Sequence, residues 1–384
     1  MRLIARMDEL GREAWNGLLA GDRDATPFLA YDFLHALHES RCAAPGTGWA
    51  PRMLCAWHGP DASGRERLAG AVPLYLKSHS YGEYVFDWSW ADAHARQGLA
   101  YYPKWLAAVP FTPVPGSRLI AADDESRQAL AAALAGTAQE SGLSSLHVLL
   151  LPPAQARTLA EHGLLVRRGV QFHWRNAGYA DFEEFLGALT QVKRKKIRAE
   201  RRKVAQAGVR LERLVGGEIT ESDWRFFDRC YRNTYAEHGS TPYLNLPFFL
   251  ALARSMPEQL LLVKALRGTR PVASALAIFD PDTRRSALYG RYWGALERID
   301  CLHFECCYYQ MIEFAIEHGL AVFEGGAQGA HKLARGLDPV ETCSAHWIAD
   351  PKLRAAIARS VQREAQDVAQ AIDELNEHRA LRED

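Results

Sequence analysis

Apolar positions along the first half of the chain follow two different spacings, which predict strands as well as helices. Residues 51–58 and 68–77 are strand-like and flank a turn rich in Gly, Asp and Ser, so we expect a β-hairpin. Residues 144–152 form an apolar run that indicates a buried strand. The alanine-rich residues 124–140 favour a helix. The first half is therefore predicted to mix α and β structure.

The second half of the chain has its own order of helices and strands. A helix is predicted to begin at Asp181, whose spacing to Glu184 is that of a capping box, and to run into residues 193–203. Residues 260–294 read as a β-meander, and a helix is expected near 303–318. From Asp350 the chain continues as a long amphipathic helix, which we expect to pack on the body or on a second subunit.

The segment 77–118 is dense in aromatic residues and charged side chains. Four prolines forbid a regular helix through its end. A connection of this length is usually functional, although an aromatic core strand with a proline-rich connection explains it equally well. Its candidate site residues are Lys77, His79, Glu83, Asp87, Lys104 and Arg118.

Composition narrows the class of protein. The 384 residues include 46 basic and 46 acidic side chains, a balance that excludes a uniformly basic protein. The length predicts two domains. No apolar run is long enough to cross a membrane, and the first residues lack a signal-peptide pattern. Seven cysteines fit reduced thiols in a cytoplasmic protein better than a disulfide framework.

Several common catalytic motifs are absent from the sequence. There is no phosphate-binding GxxxxGK[ST], no dinucleotide-binding GxGxxG after a strand and no GxSxG nucleophile elbow. The group His303, Cys306 and Cys307 lacks the paired spacing of zinc ligands, so we expect no metal site.

Three stretches of the second half carry the strongest candidate chemistry: residues 289–294, 303–310 and 324–332. A strand followed by a helix N-terminus offers free N–H groups to an anion, and glycines let the backbone approach a ligand closely. Glu305 and Glu324 are candidate proton acceptors. The alternative is a glycine-rich turn with solvated charges. The candidate binding residues are Arg291, His303, Tyr308, Gln328, His331, Lys332 and Arg335.

Four long segments resemble the FemAB-like family of predicted N-acyltransferases in the GNAT superfamily. They are residues 73–98, 101–119, 303–320 and 324–351, and the likeness runs from about Phe28 to Pro351. The resemblance implies an α/β fold of two tandem GNAT domains, here 1–175 and 176–349, followed by a C-terminal helix at 350–384. It also implies transfer of an acyl or aminoacyl group to a small-molecule or peptide amine, in chemistry related to peptidoglycan.

The same resemblance leaves the donor open between acyl-CoA and aminoacyl-tRNA, neither of them permanently bound. Acyl-CoA-binding members commonly carry [RQ]-x-x-G-x-[GA]. The nearest string here, residues 291–296, ends in Leu296, a departure that favours another donor. The basic run 193–203 contains eight cations in eleven residues. It predicts contact with tRNA or with anionic lipid at a membrane surface, and a solvated helix face is the plain alternative.

The mechanism expected of such a transferase needs a base and anion-binding groups. Glu305 or Glu324 would deprotonate the amine, with Asp87 and Glu83 as alternatives. Anionic parts of the substrates would be held by Lys332, Arg335 and Arg118. Two other functions stay open. One is a non-catalytic module that recognises cell-wall fragments or tRNA, and the other is a partner protein that oligomerises through its C-terminal helix.

Overall fold

The structure is a computed structural model that describes residues 1–60, 64, 66–280, 286–326, 329–377 and 379–381. The chain forms two compact units. The first comprises Met1–Val170 with Glu341–Ala371, and the second comprises Gln171–Val340 with Ile372–Asp384. Each unit groups residues that contact one another in space, including segments that are far apart in the chain. The domain boundaries expected from the sequence stay predictions.

The secondary structure of the described residues is mixed. The strands are β1 (Arg2–Ile4), β2 (Trp49–Pro51), β3 (Met53–His58), β4 (Arg67–Val72), β5 (Leu74–Lys77), β6 (Lys104–Ala107), β7 (Ile120–Ala121), β8 (Ser145–Leu151), β9 (Leu165–Arg175), β10 (Val209–Val215), β11 (Leu260–Arg267), β12 (Arg270–Phe279), β13 (Ala287–Ala295), β14 (Val322–Glu324) and β15 (Asp338–Ile348). The α-helices are α1 (Arg12–Gly21), α2 (Tyr31–Glu39), α3 (Trp88–Arg96), α4 (Asp124–Glu140), α5 (Pro153–Glu161), α6 (Phe182–Ala188), α7 (Gln191–Gln206), α8 (Glu221–Glu237), α9 (Leu246–Ser255), α10 (Leu302–Phe304), α11 (Gln310–Glu317) and α12 (Pro351–Glu377).

The first unit contains two sets of strands. One is an antiparallel sheet in the order β1–β3–β4–β7, and the other runs β2–β5–β6–β8–β15 with β6 parallel to β8. Leu130 and Leu134 of α4 are completely buried against apolar strand residues such as Leu146 and Val148. The α12 side chains Leu353, Ile357 and Val361 are buried in this unit, as the amphipathic pattern predicts.

The predicted β-hairpin is confirmed, although its second strand is shorter than expected. β3 and β4 pair antiparallel, and residues 61–63 and 65 of their turn lie outside the described residues. The prediction of one strand over 68–77 is wrong, because Pro73 separates β4 from β5 and the two strands join different sheets. Proline has no N–H to donate to a strand ladder, so it marks the break.

The second unit is built on the predicted meander. β10, β11, β12 and β13 are sequential antiparallel neighbours, β14 adds parallel to β13, and β9 pairs antiparallel with β14. The core of the unit packs α6, α7 and α11 against this sheet through residues such as Phe185, Leu288, Ile312 and Phe323.

Two helix predictions need correction. Trp88–Arg96 is a helix within the segment 77–118, where the sequence predicted none; it lies before the prolines and buries Trp90 and His94. The helix from Asp181 does not continue into the basic run, since Leu189 has an extended backbone and separates α6 from α7. At this break Thr190 N donates to Ala380 O at 2.9 Å, so a residue far away in the chain contacts the backbone between the two helices.

The helix expected near 303–318 contains a wider turn. Leu302–Phe304 is α-helical, Glu305–Tyr309 is a π-helix and Gln310–Glu317 is again α-helical. π-helical turns inside α-helices are rare and frequently occur at functional sites. No helix among the described residues combines the length and the apolar character needed to cross a membrane.

Candidate functional site

Two parallel strands of the second unit separate close to the candidate residues. β13 pairs with β14 only along Ala287–Tyr289, opposite Val322–Glu324. β13 then continues to Ala295, whereas β14 ends. Beyond Tyr289 this edge of β13 has no ladder partner among the described strands. A strand edge of this kind can pair with a ligand through backbone N–H and C=O groups.

A β-bulge lies just beyond the point of separation. Gly290 stands opposite Ala277 and Tyr292 opposite the adjacent Leu276, so Arg291 is the extra residue of β13. Bulges bend a strand, and they often lie next to active sites. The Arg291 guanidinium is half-buried and its Nη2 donates to the Tyr292 hydroxyl at 3.0 Å. The predicted binding residue Arg291 thus lies in the bulge beside the open strand edge.

Glu324 ends β14 at the mouth of this opening. Its side chain is buried, and Oε2 lies 3.8 Å from Nε2 of His173 on β9. The His173 Nε2 is also 3.4 Å from the Gln171 side-chain oxygen. A carboxylate beside an imidazole is an arrangement that can accept a proton and pass it on. The sequence analysis did not find His173, since a single histidine in a strand carries no distinctive pattern.

The glycine-rich segment after β14 is held in place by Lys332. The Nζ atom of Lys332 donates to Gly326 O at 2.7 Å, and burial lowers the pKa of this lysine to about 8. A Cβ on Gly325 would lie 2.7 Å from Leu337 Cδ2 and would displace that side chain, whereas Gly326 has a φ of 87°, which favours glycine. The predicted residue Gln328 lies outside the described residues.

Tyr308, His331 and His303 form a neutral polar wall near this segment. The Tyr308 hydroxyl lies 3.1 Å from His331 Nε2, and the rings of His303 and Tyr308 meet edge-on at 5.6 Å. Burial lowers the pKa of His303 to about 4 and also lowers the pKa of His331. Both imidazoles are therefore uncharged near pH 7 and can exchange hydrogen bonds without adding charge.

Arg335 is held by a buried ion pair. Its Nη2 donates to both carboxylate oxygens of Glu200, at 3.0 and 2.9 Å, and its guanidinium lies 3.5 Å from the Phe304 ring centroid. The Tyr309 hydroxyl also donates to Glu200. These contacts connect α7 with the segment Ala330–Arg335. Anion binding by Arg335 stays a prediction, and it would have to compete with this pair.

The two predicted bases of the second unit have different surroundings. Glu305 begins the π-helical turn, and its Oε1 accepts from Gln310 Nε2 at 2.9 Å and lies 3.2 Å from Arg201 Nη2. Arg201 belongs to α7 and Gln310 begins α11. Glu324 instead has His173 as a neighbour. The structure therefore places only Glu324 at the end of β14.

A second polar cluster lies inside the first unit and joins three residues predicted from the sequence. Lys104 Nζ donates to Glu83 Oε2 and to Ser80 Oγ, each at 2.9 Å, and also to Asp87. All four side chains are buried. Burial raises the pKa of Glu83 to about 7. Burial would also raise the pKa of Asp87, but Lys104 and His147 outweigh it and hold that pKa below its usual value.

Sequence reasoning missed the histidine pair that extends this cluster. His147 Nε2 lies 3.0 Å from the Tyr101 hydroxyl, which itself donates to Asp87. His147 Nδ1 lies 2.7 Å from His346 Nδ1. Burial lowers the pKa of His147 to about 3 and that of His346 as well, so both rings are neutral. A polar residue inside the apolar run 144–152 was the available signal.

Lys77 and His79, two further predicted site residues of the first unit, contact each other. The Nζ atom of Lys77 is 4.0 Å from the Trp49 ring centroid and 3.3 Å from His79 Nδ1. It also donates to Tyr81 O at 3.3 Å. Burial lowers the pKa of Lys77 to about 7, so a substantial fraction of this amine is neutral at physiological pH.

Arg118 has a different environment from the other predicted cations. It is almost completely buried, and its N–H groups donate to the backbone carbonyls of Val114, Gly116, Ser117 and Leu149. The side chain thereby fixes the proline-rich end of the segment 77–118. Its predicted role in substrate binding stays a prediction.

One group with metal-ligand spacing occurs among the described residues, and it lies outside both clusters. It consists of Asp8, His35 and Glu39 at the surface of the first unit. Asp8 already pairs with Arg6 at 2.7 Å and with His35 at 2.9 Å. Exposed acidic groups of this kind are common without an ion, so we assign no metal to it.

Comparisons with known proteins identify the family of this chain. The FemAB-like family, described as peptidoglycan biosynthesis/recognition, matches residues 6–383. The chain therefore belongs to the FemAB-like family. The predicted fold class, α/β with tandem GNAT domains and a C-terminal helix, is confirmed. A comparison with curated proteins finds no match.

Several solved structures share the fold at low sequence identity. FemX has 12% identity and a TM-score of 0.55, with 91% of this chain and 98% of that chain covered. L-PGS from Bacillus licheniformis has 8% identity and a TM-score of 0.53, with 94% and 98% covered. A conserved protein of unknown function from Bacteroides thetaiotaomicron has 10% identity and a TM-score of 0.51, with 91% and 100% covered. At these identities the similarity concerns the fold.

Proposed function

We propose that the protein is an acyltransferase or aminoacyltransferase that modifies an amine, and that the reaction takes place at the end of β14. The observation that carries the proposal is the separation of β13 from β14 after Tyr289, with Glu324 at the strand end. An open strand edge can bind a carbonyl compound through backbone N–H groups, and a neighbouring carboxylate can receive the proton of an attacking amine. The description of the family supports an acceptor related to peptidoglycan.

The reaction needs no covalent enzyme intermediate. The amine nitrogen forms a bond to the donor's carbonyl carbon while Glu324 takes the proton of the amine. The oxyanion that develops on the carbonyl oxygen needs hydrogen-bond donors, and we propose them at the point where β13 separates from β14. The bond from carbon to the carrier's sulfur or oxygen then breaks, and the proton passes to that atom. His173, 3.8 Å from Glu324, orients the carboxylate.

The donor is an acyl-CoA or an aminoacyl-tRNA, and the structure supports the second more. Gly294, the glycine of the string that resembles the CoA-binding motif, lies inside β13 rather than in a loop before a helix. A Cβ at this position would lie 1.9 Å from Cys230 O, so close packing of α8 on β13 explains the glycine. Gly294 therefore supplies no evidence for a pyrophosphate loop.

The cations of α7 provide a surface for a polyanionic donor. Lys195, Lys196, Arg202 and Lys203 are exposed and make no ion pair with another described residue. Clustered lysine and arginine side chains bind nucleic acid by neutralising phosphates and releasing counterions. We propose that these side chains contact tRNA. The free cysteines support a reaction in a reducing compartment such as the cytoplasm.

The experiment that tests the proposal is detection of the product by mass spectrometry. The purified protein is incubated with a muropeptide amine and either a mixture of aminoacyl-tRNAs or a set of acyl-CoAs. We expect a mass increase of the acceptor with aminoacyl-tRNA. A product formed only with acyl-CoA would overturn the donor assignment. Binding of the muropeptide without transfer from either donor would favour the non-catalytic module.

A further inference from the structure

The exposed aromatic residues of the protein are concentrated in one short segment of the first unit. The described residues contain three exposed aromatic side chains, and they are Tyr81, Phe86 and Trp88, with exposed fractions of 57%, 48% and 39%. The rings of Tyr81 and Trp88 meet with their centroids 5.0 Å apart and their planes at 63°. Single apolar side chains are normal at a protein surface, whereas a group of them in contact indicates a binding site. We call Tyr81 and Trp88 the aromatic platform.

Buried contacts fix the segment that carries the aromatic platform. The Nζ atom of Lys77 donates to Tyr81 O at 3.3 Å. The carboxylates of Glu83 and Asp87, which lie between the two platform residues in sequence, both pair with the buried Lys104. The backbone that presents the two rings is therefore held in place before a ligand binds, which lowers the entropy cost of binding.

The charge and size of this surface exclude several classes of ligand. Residues 78–95 contain three acidic side chains and no lysine or arginine, whereas nucleic acids and anionic lipid surfaces are bound through clustered cations. Arg167, which donates to Phe86 O at 2.7 Å, already pairs with Glu364. A standard protein interface buries about 800 Å² on each partner, whereas two aromatic side chains bury at most about 500 Å². The aromatic platform is therefore suited to a small, uncharged ligand.

We propose that the aromatic platform binds a sugar ring of an uncharged oligosaccharide. The C–H bonds on one face of a sugar carry partial positive charge and pack against the negative face of an aromatic ring. Asp92 follows Trp88 by four residues on α3, so the two side chains share one face of the helix. Asp92 is exposed and makes no ion pair with another described residue. Its carboxylate can therefore accept hydrogen bonds from two sugar hydroxyl groups.

The family of the chain narrows the sugar to an N-acetylated one. The family description concerns peptidoglycan, whose glycan strands consist of N-acetylated amino sugars. The methyl of the acetyl group adds an apolar contact to the face of the sugar. This choice of sugar rests on the proposed function, whereas the geometry and charge of the aromatic platform do not. Binding is measured without any acyl donor, so a protein that binds the sugar without transferring an acyl group, or the reverse, is recognised as such.

Titration calorimetry of the intact chain with chitotetraose, an uncharged oligomer of N-acetylglucosamine, tests the proposal. We expect saturable binding, and Tyr81→Ala and Trp88→Ala should each weaken it at least ~10-fold, because each removes one aromatic surface. Cellotetraose, which lacks the acetamido groups, should bind more weakly. No saturable binding of chitotetraose at millimolar concentration would overturn the proposal, and equal binding of the two sugars would overturn the choice of an N-acetylated one.

Further variants locate the sugar. Asp92→Ala should weaken binding of chitotetraose at least ~3-fold, because the hydroxyl groups lose their acceptor. Leu3→Ala is the matched control, since Leu3 is 45% exposed on another element of the same unit, and it should bind as the wild type does. Both platform variants should keep a urea unfolding curve close to that of the wild type, because both side chains are exposed. Binding that survives both Tyr81→Ala and Trp88→Ala would place the sugar elsewhere and refute the assignment. Binding of phosphatidylglycerol vesicles that is lost in Trp88→Ala would make the platform a membrane contact and would also overturn the proposal.

Discussion

Replacement of Lys104 by methionine tests the buried cluster of the first unit. The ammonium of Lys104 is the partner of Glu83 at 2.9 Å and of Asp87, and all three side chains are buried. Methionine keeps the aliphatic volume but removes the positive charge. Two carboxylates would then face each other in a region without solvent, where an unpaired charge is unfavourable.

The expected loss is large for a single substitution. Removal of one partner from a buried ion pair usually costs about 3–5 kcal/mol of unfolding free energy. Glu83 limits the loss, because its pKa is already raised to about 7 by burial and it can take up a proton in the variant. The destabilisation by Lys104→Met should therefore be smaller at pH 6 than at pH 8. In a unit of this size it corresponds to a decrease of roughly 6–20 °C in Tm.

Lys77→Met is the matched control for this prediction. Lys77 is equally buried, but it contacts Trp49, His79 and a backbone carbonyl instead of a carboxylate. A cation over an aromatic ring contributes about 0.5–2 kcal/mol, and the burial of the charge opposes that gain. We expect Lys77→Met to change the unfolding free energy by roughly 1 kcal/mol.

Urea unfolding followed by circular dichroism measures both variants at the two pH values. Losses of equal size for Lys104→Met and Lys77→Met would refute the reasoning, because burial alone would then account for the effect. The triple variant Lys104→Met, Glu83→Gln, Asp87→Asn should recover part of the stability, as it removes the uncompensated carboxylates. A triple variant no more stable than Lys104→Met would also contradict the account.

Three further predictions concern other parts of the structure. Burial raises the pKa of Glu83 from 4.5 to about 7, so the stabilisation linked to its protonated form is fully present below about pH 4.5 and is lost as the pH rises through 7. In Glu83→Gln this titration is absent, so the unfolding free energy should change less with pH over that window. Gly294→Ala should cost at least about 1–3 kcal/mol in urea unfolding, because its Cβ would lie 1.9 Å from Cys230 O. The double variant Lys195→Ala, Lys196→Ala should reduce the slope of log affinity for tRNA against log salt by roughly 1–2 in filter binding, and an unchanged slope would remove α7 from the tRNA surface.

The local sequence pattern was sufficient to predict those structural features that depend only on residues close together in the chain. The side chain of Asp181 accepts from Glu184 N at 2.8 Å, as the capping-box spacing predicts. The meander over 260–294 follows from its apolar runs and its glycine turn. The position of Glu324 at the end of a strand could also be predicted, because a short apolar run that ends in a carboxylate and a pair of glycines is visible in the sequence.

Features that depend on distant residues could not be predicted in this way. The break between α6 and α7 coincides with a hydrogen bond from Thr190 N to Ala380 O, which is far away in the chain. His147 and His346 are also far apart in sequence, and only the pairing of β8 with β15 brings them together. Periodicity describes one segment at a time, so it contains no information about such contacts.

The most direct test of the central claim is the turnover of Glu324→Gln. If Glu324 takes the proton of the amine, kcat/KM for the transfer reaction should fall by about 10²–10⁴ while the urea unfolding curve stays close to that of the wild type. Glu258→Gln, at an exposed glutamate of the same unit, should keep the wild-type value. Wild-type turnover in Glu324→Gln would contradict the assignment of the reaction to the end of β14.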